Sequence, residues 1–255
     1  MKERTRVISF SGKGGTGKTT TSSLFVRAVK ELGLAQEILV IDADPDANLA
    51  TTLAVDYHGT IAEAADRRKR TLDEGVPGEK LRADMYDVIC HGDYFDFIVM
   101  GRRKGAGCYC AINSMLDNIL AETMNMYDLV VIDFDAGLEH FSRGTGSNND
   151  TLVIVCDQSK LSFETAERIT TMVEELKLPY AYQYAIGCRY DDENKIKLEE
   201  LAGRLGIDVL GFVDYDKTIA SLNLAGESIS NLSADSPVFE SVKKMVTKIM
   251  TEDKV

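Results

Sequence analysis

The sequence predicts an α/β fold, with a mostly parallel central sheet flanked by helices on both faces. Two observations carry this expectation. Short runs rich in β-branched residues recur along the 255 residues, each followed by a stretch with helical periodicity, which is the pattern of parallel strands joined by crossover helices. Glycines and carboxylates gather where such strands end, and open parallel sheets bind ligands at that edge.

In chain order, "RVISF" gives a strand over 6–10, followed by a glycine loop and the helix-compatible "TTTSSLFVRAVKEL" within 18–32. A second strand, 38–42, runs into "VIDADPDANL". Helical periodicity over 60–73 leads to a strand over 95–100, and a helix over 111–125 leads to one over 128–133 that ends in "LVVIDFDAG". Strands over 151–156, 181–187 and 207–212 alternate with helices over 162–176 and 193–204. The last helix, 236–251, has a sharp start: Ser236 can cap, Pro237 suits the first helical position, and Val238, Val242, Met245 and Ile249 make one face. That face reads as core packing; a membrane-seeking helix, helped by Lys243, Lys244 and Lys248, is the alternative. The charged stretch 67–84 reads as a surface insertion. With no internal repeat or linker, residues 1–255 are expected to form a single domain.

A formal net charge of -12 argues against a sequence-independent grip on nucleic acid or anionic lipid. The lack of a signal-peptide apolar region or a spanning run points to a cytoplasmic protein. Five cysteines are an odd number without a small secreted scaffold, so reduced thiols or metal ligands are expected, not disulfides. Cys90, Cys156 and Cys188 lie in or beside apolar segments and read as packing.

The loop "GKGGTGKT", residues 12–19, sits between strand and helix, the context required of a phosphate-binding loop. Gly12, Gly14, Gly15 and Gly17 let the backbone turn its N–H groups toward phosphates, with Thr16 and Thr20 beside them, and the helix N-terminus adds partial positive charge. Lys18 is expected on the β and γ phosphates and the Thr19 hydroxyl on magnesium. Lys13 is an extra lysine; taken alone it is another cation near phosphate.

The loop resembles the deviant Walker A form of ATPases that include the nitrogenase iron protein, septum-site MinD and partition ParA proteins. The resemblance implies that Lys13 reaches the phosphates of a facing subunit across an ATP-bridged homodimer. It implies that Asp44, in the first switch, polarises the attacking water, with Asp42 near enough to share magnesium or water contacts. Asp133 reads as the Walker B acid, and Asp135 begins the second switch. The chemistry implied is in-line phosphoryl transfer from ATP to water, giving ADP.

"GRRKGAGCYC", residues 101–110, adds two thiols one residue apart. A curling loop can bring Cys108 and Cys110 to one ion, Gly105 and Gly107 permit the curl, and a two-fold axis supplies the second pair that a tetrahedral thiolate site needs. An incidental surface pair is the other reading. "GKGGTGKT", "IDADPDANL", "MGRRKGAGCYCAIN", "VVIDFDAGLEHFSRGT" and "LGFVDYDKTIASLNLAGESI" together resemble the CooC-type ATPases, which help insert nickel into carbon monoxide dehydrogenase or acetyl-CoA synthase. The likeness runs from about residue 6 to 250. It implies that Cys108 and Cys110 hold Ni2+ or Zn2+ at a dimer interface, that ATP and Mg2+ control assembly, and that a nickel enzyme is the client, with no nucleic acid or membrane partner.

Two positions depart from the pattern: Cys188 stands where relatives commonly carry an adenine-reading asparagine, and Asp214 where they usually have proline. Two other classes stay open. An iron–sulfur electron-transfer ATPase is disfavoured because "DFDAGLEH" contains no cysteine. A MinD- or ParA-like switch is disfavoured by the net charge.

Overall fold

A computed structural model describes residues 4–69, 78–101, 110–135 and 151–252. Among them, eight strands form one sheet: β1 (Arg6–Ser11), β2 (Ile38–Asp42), β3 (Cys90–His91), β4 (Asp96–Val99), β5 (Leu129–Asp133), β6 (Thr151–Cys156), β7 (Tyr182–Cys188) and β8 (Asp208–Val213). The spatial order is β3-β4-β2-β5-β1-β6-β7-β8, and every pairing is parallel except that of β3 with β4. The seven strands expected from the sequence are present; the added β3 is a two-residue antiparallel edge.

The helices are α1 (Lys18–Leu32), α2 (Asn48–Leu53), α3 (Ile61–Lys69), α4 (Gly78–Tyr86), α5 (Cys110–Met124), α6 (Lys160–Glu175), α7 (Lys195–Leu205), α8 (Lys217–Ala225) and α9 (Pro237–Glu252). They divide cleanly between the faces. Side chains of α3 to α7 pack with Leu39, Ile41, Val130, Ile132 and Ile154. Those of α1, α2, α8 and α9 pack with Ile8, Phe10, Val40, Val131 and Val153. The alternation follows from the strand's two-residue period, and burial on both faces explains why the strands are continuously apolar.

Part of the stretch 67–84, expected as a surface insertion, is corrected by α4: Leu81 and Met85 lie in the core, one helical turn apart. Charged residues around them hide the periodicity. The apolar face of α9 is buried as expected, with Phe239 and Ile249 fully enclosed, so the membrane-seeking alternative loses its apolar surface to the core. Among the described residues no helix is long and apolar enough to cross a membrane. Behind α1, Arg27 is a tie: it donates to the carbonyls of Ile229 and Leu232 at 3.1 and 2.7 Å and lies 4.2 Å from the Phe239 ring centroid. Those carbonyls belong to a short 3-10 turn and its flank between α8 and α9.

Candidate functional site

The strands β1, β2 and β5 end side by side, so the sheet sets three loops at one edge: the glycine loop after β1, the "DADPDAN" loop after β2 and the acid after β5. The glycine loop closes on itself. The Thr16 hydroxyl donates to the Lys13 carbonyl at 2.8 Å, its N–H donates to the same oxygen at 3.3 Å, and Lys18 Nζ reaches that oxygen at 3.5 Å. Lys18 is thereby buried and bent over the loop, at the place where phosphate charge is expected. Gly12 takes φ 147, and a Cβ there would collide with the Val155 carbonyl, so the loop must start on a glycine. Gly17 takes φ 103 at the cap of α1 and opens its N-terminus without a side-chain cap; Gly14 and Gly15 are exposed. The first-turn N–H groups are therefore left for an anion. Lys13 is half-buried at the loop mouth, and Thr19 and Thr20 lie in the first turn of α1.

Asp42 and Asp133 are register partners on neighbouring strands, both buried. Asp42 Oδ1 accepts from the Asp44 N–H at 3.1 Å and Oδ2 from the Leu49 N–H at 2.9 Å. It anchors the loop after β2 at two backbone N–H groups. Burial pushes its carboxyl up to about 6, against the lowering effect of those N–H groups. Asp44 is half-exposed, its Oδ1 accepting from the Asp46 N–H at 2.9 Å, and the loop turns through Ala47 in the left-handed region at φ 51. A non-glycine residue there is strained, and such strain gathers in segments that change conformation.

Asp133 is the unusual group. Neither carboxylate oxygen has a hydrogen-bond partner at good geometry among the described residues, and burial pushes its pKa up to about 7, with Thr19 and Lys18 near enough to lower it in part. A buried carboxylate without partners is costly. Its position below Thr19 and Lys18 suits a hydrated divalent cation with a nucleotide, so the residues present fit magnesium. After β5, the Asp135 carbonyl accepts from the Ser11 hydroxyl at 3.0 Å.

Beside the loop lies a cleft of about 170 Å³, bounded by Gly17, Thr20, Cys188, Arg189, Val213 to Asp216, and α8. Cys188 Sγ lies 3.5 Å from Thr21 Oγ1, and burial pushes the thiol up to about 11. Arg189 also takes the left-handed region, at φ 59; its guanidinium donates to the Gly15 carbonyl and lies 3.9 Å from Asp157. The sequence reading missed Arg189, Asn223 and α8. The signal for α8 was present: Asp216 accepts from Thr218 and Ile219 N–H groups at 2.7 and 3.1 Å, and Gly226 ends the helix at φ 67.

Cys108, and with it the pairing to Cys110, falls outside the described residues; of Cys110, only its place at the first residue of α5 is described. "AGLEH" also lies outside them. Among the described residues, no three His, Cys, Asp or Glu side chains group as a metal site, and Cys156 and Cys188 are buried thiols on opposite faces of the sheet.

Residues 7–229 match the CobQ/CobB/MinD/ParA nucleotide binding domain family. An uncharacterized ATP-binding protein of Methanocaldococcus jannaschii is 34% identical over 252 residues, covering 96% of this chain and 99% of its own. The carbon monoxide dehydrogenase accessory protein CooC of Rhodospirillum rubrum is 28% identical over 248 residues, 89% of this chain and 90% of its own. Among solved structures, a chain of the MinC:MinD cell division protein complex of Aquifex aeolicus superposes with TM-score 0.71 at 20% identity, covering 96% of this chain and 95% of that one.

Proposed function

The chain belongs to the CobQ/CobB/MinD/ParA family of nucleotide-binding domains, and from that premise we propose that it is an ATP-hydrolysing maturation factor that dimerises on ATP and assists nickel insertion into carbon monoxide dehydrogenase or acetyl-CoA synthase. The hydrolytic part rests on the site geometry. Loop N–H groups and Lys18 hold the β and γ phosphates, and Asp44, carried on a loop that Asp42 pins at two N–H groups, orients water for in-line attack. Thr19 and Asp133 would hold magnesium, which when bound neutralises charge on the phosphates. Lys13, at the loop mouth and outside the loop's own hydrogen-bonded turn except through its carbonyl, is free to serve a facing subunit.

The observation that carries the nickel reading is where the chain leaves and re-enters the sheet around the thiol pair. β4 runs parallel to β2 and ends at Val99 beside Asp42, and α5 begins at Cys110 before returning to β5, which ends in Asp133. The described residues that flank the thiol stretch, Met100 after β4 and Cys110 at the start of α5, thus belong to elements that meet the edge carrying the phosphate loop, Asp42 and Asp133, which supports the reading. Dimerisation across that edge would let nucleotide bring two thiol pairs together into a four-sulfur cage for nickel, or for zinc in its place. Likeness to the Rhodospirillum accessory protein supports the client class.

The test is nickel stoichiometry with and without a non-hydrolysable ATP analogue, for wild type and Cys108→Ala/Cys110→Ala. About one nickel per analogue-bound dimer is expected, and none in the double variant; equal binding by both proteins defeats the site. Lys13→Ala is expected to stay monomeric with ATP and lose hydrolysis. Unchanged sedimentation and turnover would rule out that role for Lys13, whereas hydrolysis stimulated by lipid or DNA and indifferent to loss of both cysteines would favour a thiol-independent switch of the MinD kind.

A further inference from the structure

The tip of the phosphate loop is not held by packing. Among the described residues, and beyond the chain neighbours, nothing lies within 4 Å of where a Cβ would sit on Gly14 or Gly15, and Gly15 takes φ 82, so the peptides there can turn at little steric cost. Yet the peptide that joins Gly15 to Thr16 is gripped from both sides. Its N–H, that of Thr16, donates inward to the Lys13 carbonyl at 3.3 Å, and its carbonyl accepts from the Arg189 guanidinium. Resting on the nucleotide reading above, we infer that Arg189 is a positioning residue of the phosphate loop: it fixes this one peptide and so keeps the loop shaped for a polyphosphate, whatever that polyphosphate carries.

Arg189 follows β7, two strands away from β1 in the sheet, and is itself fixed. Its N–H donates to the Val213 carbonyl at 2.9 Å, its backbone takes the left-handed region at φ 59 although it is not glycine, and its guanidinium lies 3.9 Å from Asp157 Oδ2. Strain of that kind persists where the surroundings over-determine it. Asp157 is held in turn. Its other carboxylate oxygen accepts from the N–H and the hydroxyl of Ser159, the N-cap of α6, at 3.0 and 2.5 Å, and its carbonyl accepts from the Tyr190 hydroxyl at 2.9 Å. The cation is therefore braced between the start of α6 and the loop.

A hydrogen bond from a cation to a carbonyl is stronger than a neutral one, and it polarises the peptide so that its N–H becomes a better donor. That N–H meets the Lys13 carbonyl, which also accepts from the Thr16 hydroxyl at 2.8 Å and lies 3.5 Å from Lys18 Nζ. Arg189 thus acts on the phosphate-side lysine through the loop backbone and without touching ligand. A glycine loop that is set beforehand loses less binding energy to ordering.

The experiment is equilibrium competition of MgADP and of magnesium tripolyphosphate, which has no nucleoside, against one fluorescent nucleotide on the full chain. Arg189→Ala is expected to weaken both by the same factor, about tenfold, as for loss of one charge-assisted hydrogen bond at a partly exposed site. The ligand-free variant is expected to melt within about two degrees of wild type. Arg189→Lys, which can still donate to the Gly15 carbonyl, is expected to recover most of the loss for both ligands. Weakening of MgADP with tripolyphosphate unchanged overturns the inference, because Arg189 would then act on the nucleoside. Unchanged binding of both overturns it, as does a loss that comes with a lowered ligand-free melt and no rescue by lysine, which would make Arg189 a part of the fold only. Wild type that binds MgADP and not tripolyphosphate also overturns it, since the loop would then not be set for phosphate by itself. In each of these cases the ATPase reading stands; it falls too if wild type binds neither ligand.

Discussion

The phosphate loop and the cleft beside it are built by opposite means. The phosphate end is one continuous stretch, residues 12–19, whose shape is imposed by backbone: φ 147 at Gly12, φ 103 at Gly17, and a carbonyl that gathers Thr16 and Lys18. The cleft beside it is assembled from pieces far apart in the chain. Thr21 meets Cys188 across 167 residues, Arg189 meets Gly15 across 174, and Asn223 meets Thr20 across 203. A backbone-made site tolerates almost no change in its key residues, while a side-chain-made one drifts freely so long as its volume is kept. Cys188 and Asp214, where the sequence departs from the expected pattern, both line that cleft.

The largest effect that would sharpen this contrast is at the phosphate end. Gly12→Ala puts a methyl group into the Val155 carbonyl at a φ that L residues rarely adopt, and is expected to destabilise the fold by about 3 kcal/mol or more and to abolish nucleotide binding. A thermal melt with and without MgADP checks both; a melt within two or three degrees of wild type would mean that the loop is less rigidly seated than β6 implies.

Next comes Asp133, whose effects on stability and on ligand binding are opposite in sign. Its carboxyl titrates near 7 in the fold and near 3.8 when unfolded, so the native state binds the extra proton between those values. The resulting destabilisation is complete above pH 7 and is relieved as pH falls toward 4, by about 1.4 kcal/mol per unit in that window. The nucleotide-free protein is therefore expected to gain about 2 kcal/mol of stability from this group between pH 7.5 and 5.5, while magnesium–nucleotide affinity weakens over the same range. Asp133→Asn should remove most of that slope, leaving the smaller part that Asp42 contributes near pH 6, and remove the MgADP-induced rise in melting temperature. A profile as steep in the variant as in wild type would assign the pH dependence elsewhere.

The smallest effect belongs to the cleft. Asp216→Ala removes the side-chain cap of α8 and should cost about 1 kcal/mol of stability, raising KM for ATP severalfold with kcat little changed. A matching fall in kcat would show that loop and cleft are coupled more tightly than their separate construction suggests.

The same contrast explains what the sequence made legible. Strands buried on both faces announce themselves as apolar runs, so seven strands and the helix 18–32 stand in the structure within a residue or two of expectation. Three helices escaped. The six residues of α2 are too few to display a period, α4 carries its two core residues among charges, and α8 is marked only by its Asp216 cap and terminal glycine. Of the site, the glycine loop and both strand-end acids were readable because each is local. That Asp42 spends its oxygens on the Asp44 and Leu49 N–H groups, and that Arg189 reaches Gly15, depend on neighbours brought together by the sheet. No spacing rule encodes them.

The Arg27 tie has a consequence for how the protein would respond to shortening. The rear of the phosphate-carrying helix rests on the 3-10 turn and on Phe239, and Arg6 at the start of β1 donates to the Ile249 and Met250 carbonyls of α9. Proteolytic nicking between α8 and α9 would therefore strip the ceiling from the helix that carries Lys18 and Thr19. The chain's far end guards the nucleotide grip mechanically, from the side that ligand never touches.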